Sequence, residues 1–465
     1  MSAVLDSEAR VAQTLPLLAL ARPQRTFAWH DRRAVSVAEF LDDVAAVAAV
    51  LPFGRDAINL CEDRYAFIVA FCAVVCRGQT NLLPSSRALH AVDEAITAYP
   101  GSYALSEVAL TPVPNRFVRL PALGANNGKG DNAPTIATDH VAAIGFTSGS
   151  TGQPKPNPKT WGAFCGSNAQ NVTALAELLD LAPGAIGHIV ATVPPQHMYG
   201  IELSVLLPLL GPFAVHSGRP LFPGDIAAAL AEVPEPRVLV TTPVHLRALL
   251  RDPVVLPRIA AITSATAPLT QELAAAAEAR YGAPLLELFG STETCVIAQR
   301  RCAHEETWRL YADVTVTPQP DGTLVDAPYF SAPVALQDVV ELVHPQRFLL
   351  RGRNADLVEI AGKRASLADL TRRVLALPGV HDAVVVQMDT PDSSGVQRIA
   401  ALVVAPQRTE AALLAELRAA IDPAFLPRPL RKVKALPRNE SGKLPRADLL
   451  AALNRATKPG FFESA

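Results

Sequence analysis

Apolar residues recur at helical spacing over 40–51 and 65–75, which predicts two helices, while the short apolar runs 57–60 and 80–83 have the length of buried strands. Further strand-length runs lie at 141–146, 188–193, 213–216, 238–242, 259–263 and 285–289, separated by Ala-rich helical patterns such as 271–281. Strands alternating with helices predict an α/β fold built on mostly parallel sheet covered by helices. The stretch 124–134 (GANNGKGDNAP) holds turn-forming residues with little to bury and reads as a loop leading into the next strand.

Beyond Arg353 the texture changes. Strands are expected at 383–387 and 399–404 and helices at 367–377 and 410–421, a set suited to a small α+β domain. The expected organisation is a large N-terminal domain at 1–352, a hinge at 353–356 and a C-terminal domain at 357–465.

A length of 465 residues exceeds what one hydrophobic core serves, in keeping with that division. With 18% charged residues and a formal net charge of -2, no basic surface is predicted and nucleic acid is not an expected partner. Glu8, Arg10, Arg22 and Arg25 interrupt the leucine-rich N-terminal stretch, and Glu202 and Pro208 interrupt the apolar run 201–213, which falls short of the about 20 residues that span a bilayer. A cytoplasmic protein without membrane segments is expected. The six cysteines, Cys61, Cys72, Cys76, Cys165, Cys295 and Cys302, lack the spacing of a disulfide scaffold or a zinc site. Cys72 and Cys76, four apart in an apolar helix, read as core thiols rather than metal ligands.

The chemistry is concentrated where the 141–146 strand ends. Thr147, Ser148, Gly149, Ser150, Thr151, Gly152, Gln153, Pro154 and Lys155 supply four hydroxyls, two glycines and a lysine in nine residues. Glycines admit a close approach of backbone N–H groups to phosphate, hydroxyls add donors and lysine adds a compact positive charge. The loop is suited to a polyphosphate. It is neither a Walker A loop, since Pro154 stands where that pattern needs a glycine–lysine pair, nor a GxGxxG turn.

This string resembles the TSGSTGxPK signature of the adenylate-forming superfamily: acyl-CoA synthetases, carrier-protein ligases and peptide-synthetase adenylation domains. Other segments resemble that family's motifs in the family's order. Pro194 to Gly200 is similar to its His–Gly segment beside the acyl pocket. Ser264 to Leu269 resembles the adenine-binding turn, which implies nucleotide contacts from Ala265, Thr266 and Ala267. Phe289, Gly290, Ser291, Thr292, Glu293 and Thr294 resemble YGxTE, with Phe289 replacing the usual tyrosine. That resemblance implies Glu293 as the magnesium ligand, a hard oxygen donor suited to that ion, and Thr292 as a phosphate contact. Asp338 resembles the aspartate that accepts both ribose hydroxyls, and Arg353 the hinge arginine that contacts nucleotide. Pro437 to Leu444 resembles the C-terminal loop whose lysine, here Lys443, enters the active site.

The resemblance runs from about Arg77 to Arg446 and implies a large adenylate-forming domain followed by a small mobile one. The implied activity is ATP-dependent conversion of a small carboxylic acid to acyl-AMP, with Mg2+, and acyl transfer to CoA or to the phosphopantetheine of an acyl carrier protein. Lys443, Glu293, Thr292 and His197 are the expected catalytic residues. His197, Tyr199, Thr241 and Cys295 are the expected acyl-pocket residues. Pro156 to Trp161 and the string Lys363 to Leu367 look more like ligases of aryl-polyene and xanthomonadin-type pigment pathways, which points to a hydroxybenzoate-like acid. Fatty acids and amino acids are the alternative substrates, although Pro195, Gln196 and His197 offer no acid to hold an amine. A noncatalytic nucleotide-binding homologue is the alternative of another class. Ala355 and Glu359 depart from the family's usual hinge residues, which bears on the domain rotation rather than on adenylation.

Overall fold

The computed structural model describes residues 13–84, 87, 89–124, 133–148, 154–320, 322–353, 357–360, 363–389, 397–439 and 442–456. The chain divides into two compact units, 1–220 with 225–240, and 221–224 with 241–465.

The first unit contains a six-stranded sheet in the order Pro154–Thr160, Val141–Ser148, Thr80–Leu83, Asp56–Asn59, Tyr103–Ser106, Phe117–Arg119. Only the first pair is antiparallel. Helix Arg64–Cys76 is buried from Arg64 through Val75, which is why its sequence is apolar on every side rather than striped. Its first turn is capped by Asp63, whose side chain accepts from the Ala66 N–H at 2.9 Å. A second set of strands in this unit runs in the order Arg237–Thr241, whose last residue belongs to the second unit, Gly187–Ala191, Phe213–His216, Thr26–His30, Arg33–Ser36, parallel except for the final hairpin.

The strand Pro154–Thr160 departs from expectation, since three prolines in five residues argue against a ladder. It is an edge strand, and Pro154, Pro156 and Pro158 alternate, so their missing N–H groups all fall on the side away from Val141–Ser148. Lys155, Asn157 and Lys159 keep the N–H groups that face the partner. A second departure is the π-helix Ile201–Leu206 directly after the His–Gly segment.

In the second unit, strands run in the order Asp338–His344, Arg347–Arg353, Trp308–Leu310, Cys295–Arg300, Leu285–Ser291, Ala261–Ser264. The last two are parallel and the others antiparallel. Residues 358–453 carry cores of their own around the sheet Asp382–Gln387, Ile399–Val404, Leu430–Lys432. Ala383, Val385, Ile399, Ala401 and Val403 face one core with helices Leu367–Leu375 and Glu410–Ala420. Val386, Ala400 and Leu402 face the other with helix Arg446–Ala456. That is the period-two alternation of a sheet covered on both sides.

All six cysteines are free; Cys72 is buried and Cys76, in the last helical turn, is partly exposed. Among the described residues no group of three or more metal-ligating side chains occurs. No helix among them is long and apolar enough to cross a membrane.

Candidate active site

The phosphate-loop residues belong to a hairpin in the first unit. Thr147 and Ser148 end one strand and pair with Lys155 and Pro154 of the next. Lys155 is exposed, and Gly149, Ser150, Thr151 and Gly152 lie outside the described residues.

In the same unit Pro194 to Gly200 follows the strand Gly187–Ala191. His197 precedes the helical turn Met198–Gly200, and its carbonyl accepts from the Ile201 N–H at 2.7 Å. Tyr199 is buried and His197 half-buried. A Cβ on Gly200 would lie 1.9 Å from the Pro194 carbonyl oxygen, so only glycine lets the loop close on itself.

Sequence reasoning missed the group beneath this loop. Arg64 is fully buried; one of its Nη atoms donates to the carbonyls of Ala191 at 2.9 Å and Val193 at 2.8 Å, and the other to the Ser204 hydroxyl. Ser204 in turn donates to the Gly200 carbonyl at 2.6 Å. Desolvation lowers the Arg64 pKa to about 9, so the guanidinium remains charged at neutral pH. The only signal in the sequence is a charge abutting an apolar helical run. Glu202 is also buried, with its carboxylate accepting from Ser167 at 2.9 Å and Asn171 at 3.2 Å.

The second unit brings most of the remaining candidates to the carboxyl ends of neighbouring strands. Ile262, Thr263 and Ser264 pair in parallel with Leu285, Leu286 and Glu287, so Ala265–Ala267 and Phe289–Cys295 emerge from adjacent strands. Thr266 has φ +79°, a left-handed conformation unusual for a β-branched residue. Its hydroxyl and that of Ser264 are buried without a protein hydrogen-bond partner. Orphaned hydroxyls at a strained turn suit a ligand that brings its own donors and acceptors, as an adenine does.

Ser291 to Thr294 form a closed turn. Ser291 Oγ accepts from the N–H groups of Glu293 at 3.1 Å and Thr294 at 3.2 Å, and Thr294 Oγ1 donates to the Cys295 carbonyl at 2.8 Å. Thr292 and Glu293 are half-buried at its tip, and Cys295 is buried with φ +62°. Glu293 is a single carboxylate. It fits magnesium, which binds one or two carboxylates and completes its shell with phosphates and water.

Phe289 packs against Trp308 and Phe348 with ring centroids 5.3 and 5.6 Å away, tying its strand to Arg347–Arg353. Asp338 is buried and is the register partner of Arg353, so the candidate ribose and hinge residues face one another across a ladder. The Arg353 side chain and hinge residues 354–356, Ala355 included, lie outside the described residues, as does the Glu359 side chain.

Thr241 is buried at the end of its strand and leads into helix Pro243–Arg251. Against the first turn of that helix lies the Lys443 loop: a Cβ on Gly442 would be 3.8 Å from Val244 Cγ2. Lys443 itself is exposed.

The family model for the AMP-binding enzyme matches residues 55–327, and that for the AMP-binding enzyme C-terminal domain matches residues 373–443. A 4-coumarate–CoA ligase of Halorhodospira halophila is 30% identical over 395 residues, covering 79% of this chain and 94% of the relative. A 4-coumarate–CoA ligase of Rhodobacter capsulatus is 30% identical over 314 residues, covering 66% of this chain and 75% of the relative. ATP-bound MatB from Rhodopseudomonas palustris shares the fold, with a TM-score of 0.76 over 94% of this chain and 97% of that one at 19% identity. With one family model spanning more than half of its length and a second following it, this chain belongs to the AMP-binding enzyme family of adenylate-forming acid–thiol ligases.

Proposed function

We propose that the chain activates a small aromatic carboxylic acid of the hydroxybenzoate type with ATP, releasing pyrophosphate. It then passes the acyl group from acyl-AMP to a pantetheine thiol of CoA or of an acyl carrier protein. The observation that carries the reading is the pair of adjacent strand ends in the second unit. There the orphaned hydroxyls of Ser264 and Thr266 neighbour the turn that bears Thr292 and Glu293. The aromatic choice is supported by the two relatives, both 4-coumarate–CoA ligases, whose acid is aromatic. An amine-bearing substrate is disfavoured, because the Glu202 carboxylate near the His–Gly segment is engaged by Ser167 and Asn171.

In the first step the substrate carboxylate attacks the α-phosphorus and the bond to pyrophosphate breaks. Negative charge grows on the leaving group and on the non-bridging oxygens, so positioning and electrostatic stabilisation supply most of the catalysis. Thr147 to Lys155 would donate to the phosphates, with Thr292 as a further contact. Ala265, Thr266, Ala267, Phe289, Gly290 and Ser291 would border the adenine, Asp338 would accept the ribose hydroxyls and Arg353 would contact the nucleotide. Glu293 would hold magnesium, which would supply positive charge to offset that on the phosphates. Lys443 would bridge the acid and the α-phosphate. His197, Tyr199, Thr241 and Cys295 would line the acyl pocket. The second step, attack of the thiol on the acyl carbonyl with loss of AMP, is assigned to a rotation of the domain at 357–465 about residues 353–356.

Trapping with hydroxylamine tests the reading. The protein is incubated with ATP, Mg2+ and each acid of a panel of hydroxybenzoates, cinnamates, fatty acids and amino acids, and hydroxamate is measured. Aromatic acids should give product, which CoA or a carrier protein diverts to thioester. Binding of ATP by calorimetry with no hydroxamate from any acid would instead support the noncatalytic reading.

A further inference from the structure

The loop that carries Lys443 is closed on itself. The Asn439 N–H donates to the Lys443 carbonyl at 2.8 Å, the Lys443 N–H to Asn439 Oδ1 at 2.9 Å, and the Gly442 N–H to the Asn439 carbonyl at 2.9 Å. Gly442 has φ +78°, which glycine adopts without strain. Those bonds set the shape of the turn but not where it sits.

Its location is set by the residue just before it. Arg438 donates from Nε to Asp382 Oδ2 at 3.0 Å, from Nη2 to Asp382 Oδ1 at 2.8 Å and from Nη1 to the Gly442 carbonyl at 2.8 Å. The two side chains are only 15% and 18% exposed, so this is a partly desolvated bidentate pair, the geometry in which charge-assisted hydrogen bonds are most directional. Asp382 opens the strand Asp382–Gln387 and also accepts from the Ala383 N–H at 3.0 Å. On the far side of the loop, Leu444 packs against the core that faces helix Arg446–Ala456.

We propose that Arg438, locked by Asp382, is a positioning residue for Lys443 in adenylation. One guanidinium joins the carbonyl next to the lysine to the first residue of the small sheet, so the base of a long side chain is held still. Helix Pro243–Arg251 adds a second reference point: Val244 borders Gly442, and Arg247 one turn later is attracted by Asp382 and opposed by Arg438 and Arg251. The inference rests on the assignment of Lys443 as the catalytic lysine, and the experiment separates the two.

Adenylation kcat and the KM for ATP are measured for wild type, Arg438→Met, Asp382→Asn, Lys443→Ala and the Arg438→Met/Lys443→Ala double variant, with thermal melts of each. Arg438→Met and Asp382→Asn should lower kcat by roughly ten- to a hundredfold, the cost of an ångström-scale misplacement. The KM for ATP should stay within about twofold of wild type, because no nucleotide contact is altered. In the Lys443→Ala background, Arg438→Met should cost nothing further. If Lys443→Ala cripples adenylation and Arg438→Met does not, the positioning role is wrong and the lysine assignment stands. Equal losses from Arg438→Met in both backgrounds would also overturn it, by showing that Arg438 acts on the fold. A wild-type rate for Lys443→Ala would remove the underlying assignment. Should Arg438→Met fail to fold, Asp382→Asn, which keeps the side-chain shape, and the Asp382→Asn/Lys443→Ala double variant decide by the same comparison.

Discussion

His188 is 4% exposed in the strand Gly187–Ala191, and its Nδ1 accepts from Trp29 Nε1 at 3.0 Å. That bond needs an unprotonated Nδ1. Burial, with repulsion from Arg237, lowers the pKa to about 4 from the ordinary 6.5. Between those values the unfolded chain binds a proton that the native chain refuses. Stability is therefore full above pH 6.5 and falls as the pH drops toward 4, by up to about 3 kcal/mol. His188→Gln, which retains an acceptor, should flatten this dependence in urea midpoints compared at pH 7 and pH 4.5; an unchanged slope would contradict the account. Asp338 makes a different kind of prediction. If its carboxylate accepts two ribose hydroxyls, Asp338→Ala should raise the KM for ATP by roughly ten- to a hundredfold and change kcat less, read from steady-state kinetics.

At the scale of elements, Gly200 and Arg64 together hold the His197 loop in its bend. Gly200→Ala forces a methyl into the Pro194 carbonyl, for an expected loss of about 1–3 kcal/mol in a thermal melt and a rise in KM for the acid larger than for ATP. The same scale shows what the sequence could reveal. Strands Thr80–Leu83 and Phe213–His216 and helix Gln271–Tyr281 were legible because burial is uniform along the strands and the helix is Ala-rich. Strand Pro154–Thr160 was not, because whether a proline breaks a ladder depends on which edge it faces, and that is a property of the sheet. The antiparallel strands between 308 and 353 were missed as well: in Asp338–His344 charged residues interrupt the apolar ones, and Leu342 and Val343 are exposed, so neither a clean alternation nor a continuous buried run marks the strand. Candidate site residues can be proposed from sequence where a motif keeps them contiguous, as in 289–294. The Arg438–Asp382 pair cannot, since 56 residues separate two ordinary surface-type side chains until the small sheet brings them together.

At the scale of the whole molecule, the residues proposed for the chemistry are divided between the two compact units. The phosphate-loop hairpin, His197 and Tyr199 lie in the first, and Thr241, Thr266, Glu293, Asp338 and Lys443 in the second. Lys443 sits on an exposed loop, so removing its charge is expected to leave the cores intact. The chain is proposed to make an acyl-adenylate with Lys443 in the reacting centre. Acid-dependent exchange of labelled pyrophosphate into ATP, run for wild type and Lys443→Ala, addresses this most directly. The account predicts exchange with an aromatic acid and a loss of roughly a hundred- to a thousandfold in a variant that melts like wild type. Equal exchange by the two proteins, or none by wild type with any acid of the panel, would contradict it.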